Sequence, residues 1–315
     1  MVRCSFAGCN VEHRRRDASK HEKKAAELHA RCEREVRLEL GVCDEFVQAA
    51  AAVIARADKA TDISRVVAAM QLCQQSADVS HQACAALAAI YYWEVEESAC
   101  DAGAILAIVA AMKAHPGSAD LLEEACWALG NITGITGKGN NKKLAADVGA
   151  IQAVVVAMQT HPDSADLQVN ACFALSNITV GVANRVKARD AGAIEAVVAA
   201  MKTHPGSEDL QEYACSALGN ITADVANRVK AGAAGAIEAV VAALCANPDS
   251  VDVLDNAFRA LCHMVQGVAN NAVKARGAGA AEAVVGAMRN HTDSAGVQES
   301  ARLALAHLNA DAASS

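Results

Sequence analysis

A stretch of 43–46 residues recurs along most of this chain and constrains its fold more than any other feature. One copy, from Gly192, reads GAIEAVVAAMKTHPGSEDLQEYACSALGNITADVANRVKAGAA. Equivalent glycines stand at Gly103, Gly149, Gly192, Gly235 and Gly279, with steps of 46, 43, 43 and 44 residues. A fixed period of this size marks a solenoid, whose units bury their apolar faces only by stacking on neighbours. Such arrays mostly serve as surfaces that hold other molecules. The repeat therefore points to a binding scaffold without naming the ligand.

The composition makes the repeat helical. Hydrophobic residues supply 53% of the chain and aromatics only 3%, so alanine carries much of the apolar content. Alanine is the best helix former and lets helices approach closely. Only four prolines interrupt the chain, in keeping with long helical stretches. Each repeat divides into three segments. A short first one, such as VANRVKARDAG, ends at Gly192. A second, GAIEAVVAAMKTH, stops at His115-Pro116, His161-Pro162, His204-Pro205 or Asn247-Pro248, because proline drives the preceding residue out of helix. A third begins near Asp120, Asp166, Asp209 or Asp252. Asp is a good helix cap, and Asp120/Glu123 and Asp209/Glu212 have capping-box spacing. Ser118, Ser164, Ser207 and Ser250, two residues earlier, compete for the same role.

Two blocks of this repeat, N-R-V-K-x-x-x-A-G-A-I and A-x-x-A-L-x-N-I/L, make the chain resemble the armadillo-repeat family from about Ile63 onward. The resemblance implies an all-α fold: a right-handed armadillo-like superhelical solenoid of about six repeats, spanning 62–315. It also implies a concave groove lined by the third helices. In that family an Asn late in the third helix holds the backbone of an extended peptide, and a Trp four residues earlier packs on its side chains. The Asn positions here are Ala89, Asn131, Asn177, Asn220, His263 and His307. The Trp positions are Ala85, Trp127, Phe173, Ser216, Arg259 and Leu303. Trp127 with Asn131 is the full pair, Phe173 with Asn177 a near-equivalent, and Asn220 stands alone. Residues four apart share a helix face, and an amide offers both donor and acceptor to a peptide bond. The plain structural alternative is that these Asn residues cap the third helix or bridge to the next repeat. One turn earlier lie Glu123, Val169, Glu212, Asp255 and Glu299. An acidic row on the groove favours a basic peptide, although acids also suit a helix start.

Residues 1–33 read as a separate module. Residues 1–40 hold ten Lys/Arg and seven Asp/Glu, a net of +3, against −11 for the rest. Within CSFAGCNVEHRRRDASKHEKKAAELH, Cys4, Cys9, His21 and His29 have the makeup of a structural zinc set. A module this small needs a metal staple. The seven-residue gap between the His residues spans about 12 Å on an unbroken helix, so the helix must end or turn there. The GC, RRD and H-x7-H elements are similar to the zinc finger of tumour-necrosis-factor-receptor-associated factors, which implies one structural zinc per chain. Cys32 and His13 remain alternatives to His29 as fourth ligand. The cluster Arg14, Arg15, Arg16, Lys20, Lys23 and Lys24 is interleaved with Glu12, Asp17 and Glu22, which argues against a nucleic-acid partner. Residues 34–61 are expected to form a helical linker that caps the first repeat.

Other chemistry fails on inspection. GNITGITGKGNNKK lacks both the glycine and the Ser/Thr of a phosphate loop, with Ile132 and Gly139 in those places. No nucleophile–base set stands out, so no enzyme and no small-molecule substrate is expected. Cys84, Cys126, Cys172 and Cys215 share one repeat position and read as small buried hydrophobes with reduced thiols. The N-terminus lacks the apolar core of a signal peptide. Apolar runs such as 236–246 contain Glu238 and are too short to span a membrane. The expected location is the cytoplasm, with the nucleus second. The expected function is a protein-interaction adaptor, with the groove holding an extended, basic segment and the finger a second partner. An accessory subunit of a ubiquitin-ligase or signalling complex and a nuclear-import-type cargo adaptor are the alternatives.

Overall fold

A computed structural model describes residues 2–3, 12–13, 45–57, 62–93, 101–134 and 139–310. The chain divides into two compact units, 1–160 and 161–315. Near the N-terminus two short strands, β1 (Val2–Arg3) and β2 (Glu12–His13), pair antiparallel, Val2 opposite His13. Every other element among the described residues is a helix. Cys4, Cys9, His21, His29 and Cys32, the expected zinc ligands and one alternative, lie outside the described residues.

The first unit holds α1 (Glu45–Ile54), α2 (Ile63–Leu72), α3 (Ala77–Trp93), α4 (Asp101–Ala114), α5 (Ala119–Gly134), α6 (Gly139–Asp147) and α7 (Ala150–Thr160). Helix α1 packs on α2 and α3 and buries Ala50, Val53 and Ile54. The second unit starts with α8 (Ala165–Ile178). Three helix triplets follow. They are α9 (Val182–Ala191), α10 (Ala193–Thr203) and α11 (Glu208–Thr222); then α12 (Val225–Ala234), α13 (Ala236–Ala246) and α14 (Val251–Val265); then α15 (Ala269–Gly277), α16 (Ala280–Asn290) and α17 (Ala295–Ala310).

Like stacks on like. In the second unit the first helices pair as α9–α12–α15, the second as α10–α13–α16, and the third as α8–α11–α14–α17. In the first unit α3 and α5 form the corresponding third-helix pair. Small residues permit this closeness: Ala171, Ala174, Ala214, Ala217, Ala257 and Ala260 are all fully buried. Cys84 and Cys126 in the first unit, and Cys172 and Cys215 in the second, are buried free thiols on the third helices. Burial raises the pKa of Cys84, Cys172 and Cys215, that of Cys172 to about 12, so these three stay protonated and behave as hydrophobes.

The turns hold two corrections. The N-cap position of α8, α11 and α14 holds serine, not aspartate, and of the three only Ser250 caps with its side chain. Ser164, Ser207 and Ser250 are extended N-caps, and Ser250 Oγ accepts from the Val253 N–H at 3.4 Å. The aspartates sit inside the first turn, where their charge suits the helix dipole. Gly149, Gly192, Gly235 and Gly279 all have φ of 80–90°, a left-handed link that only glycine makes cheaply. Gly103 does not belong with them. It lies inside α4 without a positive φ, so the helix runs on through it.

The histidines that end the second helices, His115 and His204 before proline and His291 before Thr292, do more than mark a turn. His204 Nε2 donates to Pro162 O and His291 Nε2 to Pro248 O, both at 2.8 Å, while in the first unit His115 Nε2 donates to Gln74 O at 2.9 Å. Each ties its turn to that of the preceding repeat. Asn247 stands where the His would be and bonds its own helix at Ala243 O instead.

Candidate docking face on the third helices

Side-by-side packing of third helices turns a sequence period into a row. On α5, Glu123, Trp127 and Asn131 follow at four-residue steps and so share one face. Glu123 and Trp127 are half-buried, and Asn131 is buried. In the second unit Phe173 and Asn177 on α8, and Glu212 and Asn220 on α11, are half-buried. Trp127 and Phe173 therefore stand outside the sealed core.

The Asn row has an internal task. Asn131 Nδ2 donates to Ala88 O at 3.0 Å across α3 and α5. Asn220 Nδ2 donates to Ser176 O at 2.7 Å across α8 and α11. The sequence left open a cap or a bridge to the next repeat; a bridge forms at these positions, but to the preceding repeat. A second amide hydrogen and the Oδ1 lone pairs remain beyond that bond. His263, which breaks the Asn pattern, makes the same bridge: its Nδ1 lies 2.7 Å from Gly219 O. A carbonyl can only accept, so Nδ1 carries the proton and Nε2 is left as an acceptor. Burial holds the His263 pKa down against the raising effect of that bond, and Arg259, Arg228 and Arg185 push it further down. The sequence period located position 263 but gave no sign that imidazole could replace the amide there.

In each unit a residue next to the acidic position was missed by pattern reading. Tyr213, next to Glu212, packs its ring on Phe173 with centroids 5.1 Å apart and planes at 52°, a tilted aromatic pair. Glu124, next to Glu123, has a buried Oε2 without a hydrogen-bond partner. Burial raises its pKa, partly offset by His81. The Glu212 carboxyl is raised by burial and then by Asp252, Asp209 and Glu208, so the acids around α11 reinforce one another. The helical signal was available, since a one-residue step turns only about 100° and leaves such positions flanking the row. Among the described residues no group of three or more His, Cys, Asp or Glu is placed to hold a metal ion.

The N-R-V-K block is structural. Asn184 Nδ2 donates to Ile178 O. Asn227 Nδ2 donates to Ile221 O and Arg185 O, and Asn271 Nδ2 to Met264 O and Arg228 O. Each amide thus satisfies a carbonyl at the end of the preceding third helix, and the later two also reach the neighbouring first helix. These groups would otherwise be orphaned.

Sequence and structure comparisons agree with this architecture. The family model described as Armadillo/beta-catenin-like repeat matches residues 97–134 and 182–223. No curated protein matches the chain. Three crystal structures of engineered proteins from the Northeast Structural Genomics Consortium are similar to it. One is 29% identical with a TM-score of 0.66, covering 79% of this chain and 99% of its own. A second is 26% identical with a TM-score of 0.64, covering 79% and 97%. A third is 25% identical with a TM-score of 0.70, covering 93% and 71%. The chain carries armadillo-like helical repeats, a fold that generally serves as a non-enzymatic scaffold for protein interaction. Among the described residues no single helix is long and apolar enough to cross a membrane.

Proposed function

We propose that this protein is an adaptor whose third-helix face docks an extended, basic segment of a protein partner, while the N-terminal module engages a second partner. The observation that carries this reading is the placement of Trp127 and Phe173: large aromatics, half-buried rather than sealed, each one helical turn from an amide, Asn131 and Asn177. The aromatics would hold side chains, the amides backbone, and Glu123 and Glu212 cationic residues. Field focusing along an acidic face would favour such a partner. The cytoplasm, and also the nucleus, is the location that suits this role.

The test is capture of partners on wild-type protein and on the Trp127→Ala, Asn177→Ala double variant. Proteins retained by the first and lost from the second are the expected result. A partner held equally by both would sink the reading.

The N-terminal module is proposed to hold one structural zinc through Cys4, Cys9, His21 and His29. This rests on their spacing alone. Freshly purified protein should contain one zinc per chain. Chelation should unfold residues 1–33 and leave the helical signal of the repeats nearly unchanged, because repeat stability is a sum of local terms. Protein purified without chelator and free of zinc would contradict the assignment.

A further inference from the structure

The first helices of the second unit carry a row of exposed apolar side chains. Val182 on α9, Val225 and Val229 on α12, and Val273 on α15 are each between 58% and 66% exposed. They make up half of the large apolar side chains exposed among the described residues. Single exposed valines need no explanation, but a contiguous set marks an interaction site. These four are in register. Asn184, Asn227 and Asn271 occupy one repeat position, since each closes the end of the preceding third helix. Val182 and Val225 stand two residues before that amide, and Val229 and Val273 two residues after it. Because α9, α12 and α15 stack in order, the valines form a strip across three repeats.

Positive charge flanks the strip. The three helices hold seven Lys/Arg and one Asp, in a chain whose net charge is −8. Arg185, Lys274 and Arg276 donate to the backbone carbonyls of Val180, Gly232 and Leu308. Such bonds hold a side chain in place without cancelling its charge. Lys230 pairs with Glu195 at 3.1 Å and Arg189 with Asp190 at 2.9 Å, both partly exposed. An apolar strip with basic margins is complementary to an amphipathic partner with acidic margins.

The spacing selects the occupant. Stacked helices lie about 8–10 Å apart, so the strip offers an apolar contact at that interval. Two turns of α-helix advance about 10.5 Å and return residue i+7 to nearly the same face. An extended chain covers about 10 Å in three residues, which puts every second contact on its opposite side. A face that enters a membrane presents Trp, Phe or Leu among its basic residues, and α9, α12 and α15 contain none of these. We propose that this face docks an acidic amphipathic helix of a protein partner. Its apolar stripe lies on the valines, and its carboxylates meet the cations beside them. The face is built from first helices and excludes Trp127, Phe173 and their amides, so the proposal stands apart from the reading of the third-helix row.

The test uses the full chain and a fluorescein-labelled peptide of about three heptads, with leucine along one face and glutamate elsewhere. Anisotropy should show saturable binding that raised salt weakens. Val225→Ser, Val229→Ser and Val273→Ser together should weaken it at least about tenfold. These side chains are exposed, so the core is untouched, and circular dichroism should confirm an unchanged fold. Trp127→Ala should leave the binding as it is, which separates this outcome from partner capture on the third-helix face. A peptide that does not bind, or binds the triple variant equally well, would overturn the proposal. So would equal binding of a peptide with the same composition in scrambled order. Phosphatidylserine vesicles that hold the wild type but not the triple variant, with no binding of the peptide, would assign the strip to a membrane instead. Sedimentation of a dimer that the triple variant loses would assign it to a second copy of the chain.

Discussion

Phe258→Ala should destabilise the second unit by about 3–5 kcal/mol, the usual cost of emptying a buried aromatic site. Phe258 heads the largest fully buried side chains among the described residues. It sits on α14, which packs between α11 and α17, so few atoms are free to collapse into the space it leaves. The equivalent position holds Cys84, Cys126, Cys172 and Cys215 in other repeats, all fully buried. Phe258→Cys would therefore restore the repeat pattern. It should still destabilise, only slightly less than alanine, because a thiol does not fill the volume of a phenyl ring. Urea unfolding gives the energy, and hydrogen exchange gives the place. Lost protection should concentrate in α13 to α15 and fade toward α8, since repeats interact mainly with their neighbours. A stability change below about 1 kcal/mol would mean that α14 is not packed as described.

Gly232→Ala is the second large effect, and its sign is the informative part. In a helix this change ordinarily stabilises by up to about 1 kcal/mol. Here a Cβ on Gly232 would lie 2.0 Å from Asn271 Oδ1 and 2.7 Å from its Cγ. Asn271 cannot step aside cheaply. It is 2% exposed, and its Nδ2 donates to both Arg228 O and Met264 O at 2.8 Å. Expelling it breaks two buried hydrogen bonds and strands two carbonyls, a loss of roughly 2–3 kcal/mol that outweighs the gain in propensity. Thermal unfolding of the variant should show a lower midpoint. A midpoint at or above that of the wild type would show that Asn271 has room to move. With Asn271→Ala already in place, adding Gly232→Ala should cost nothing further and regain its ordinary helix preference, because the clash has gone with the amide.

These two sites mark how far the sequence could be read. The period, the helix ends at His-Pro and the equivalence of the glycines from Gly149 onward were legible, because each follows from local chemistry that most repeats share. The serine caps were only half legible. Ser and Asp two residues apart are both good caps, and what decides between them is where the preceding turn delivers the chain. Gly103 looked equivalent by spacing, but a helix can run through a glycine when no chain reversal is needed. The candidate face was legible as a row of positions. Its hydrogen bonds were not, because Asn131, Asn220 and His263 spend a donor on a carbonyl 43 or 44 residues away. That carbonyl becomes a neighbour only after stacking. Tyr213 and Glu124 were missed for a related reason: a strict four-residue step selects one line along a helix, while a packed face is wider.

The central claim is that the third-helix face is a docking surface for extended protein segments. The most direct measurement is the dissociation constant of a captured partner segment for wild-type protein and for Trp127→Ala, each at low and raised salt. Losing an aromatic anchor often costs about 2 kcal/mol or more. The variant should therefore bind at least roughly tenfold more weakly, and salt should weaken both proteins through the acidic residues. Equal affinity of the two proteins, with no dependence on salt, would contradict the account.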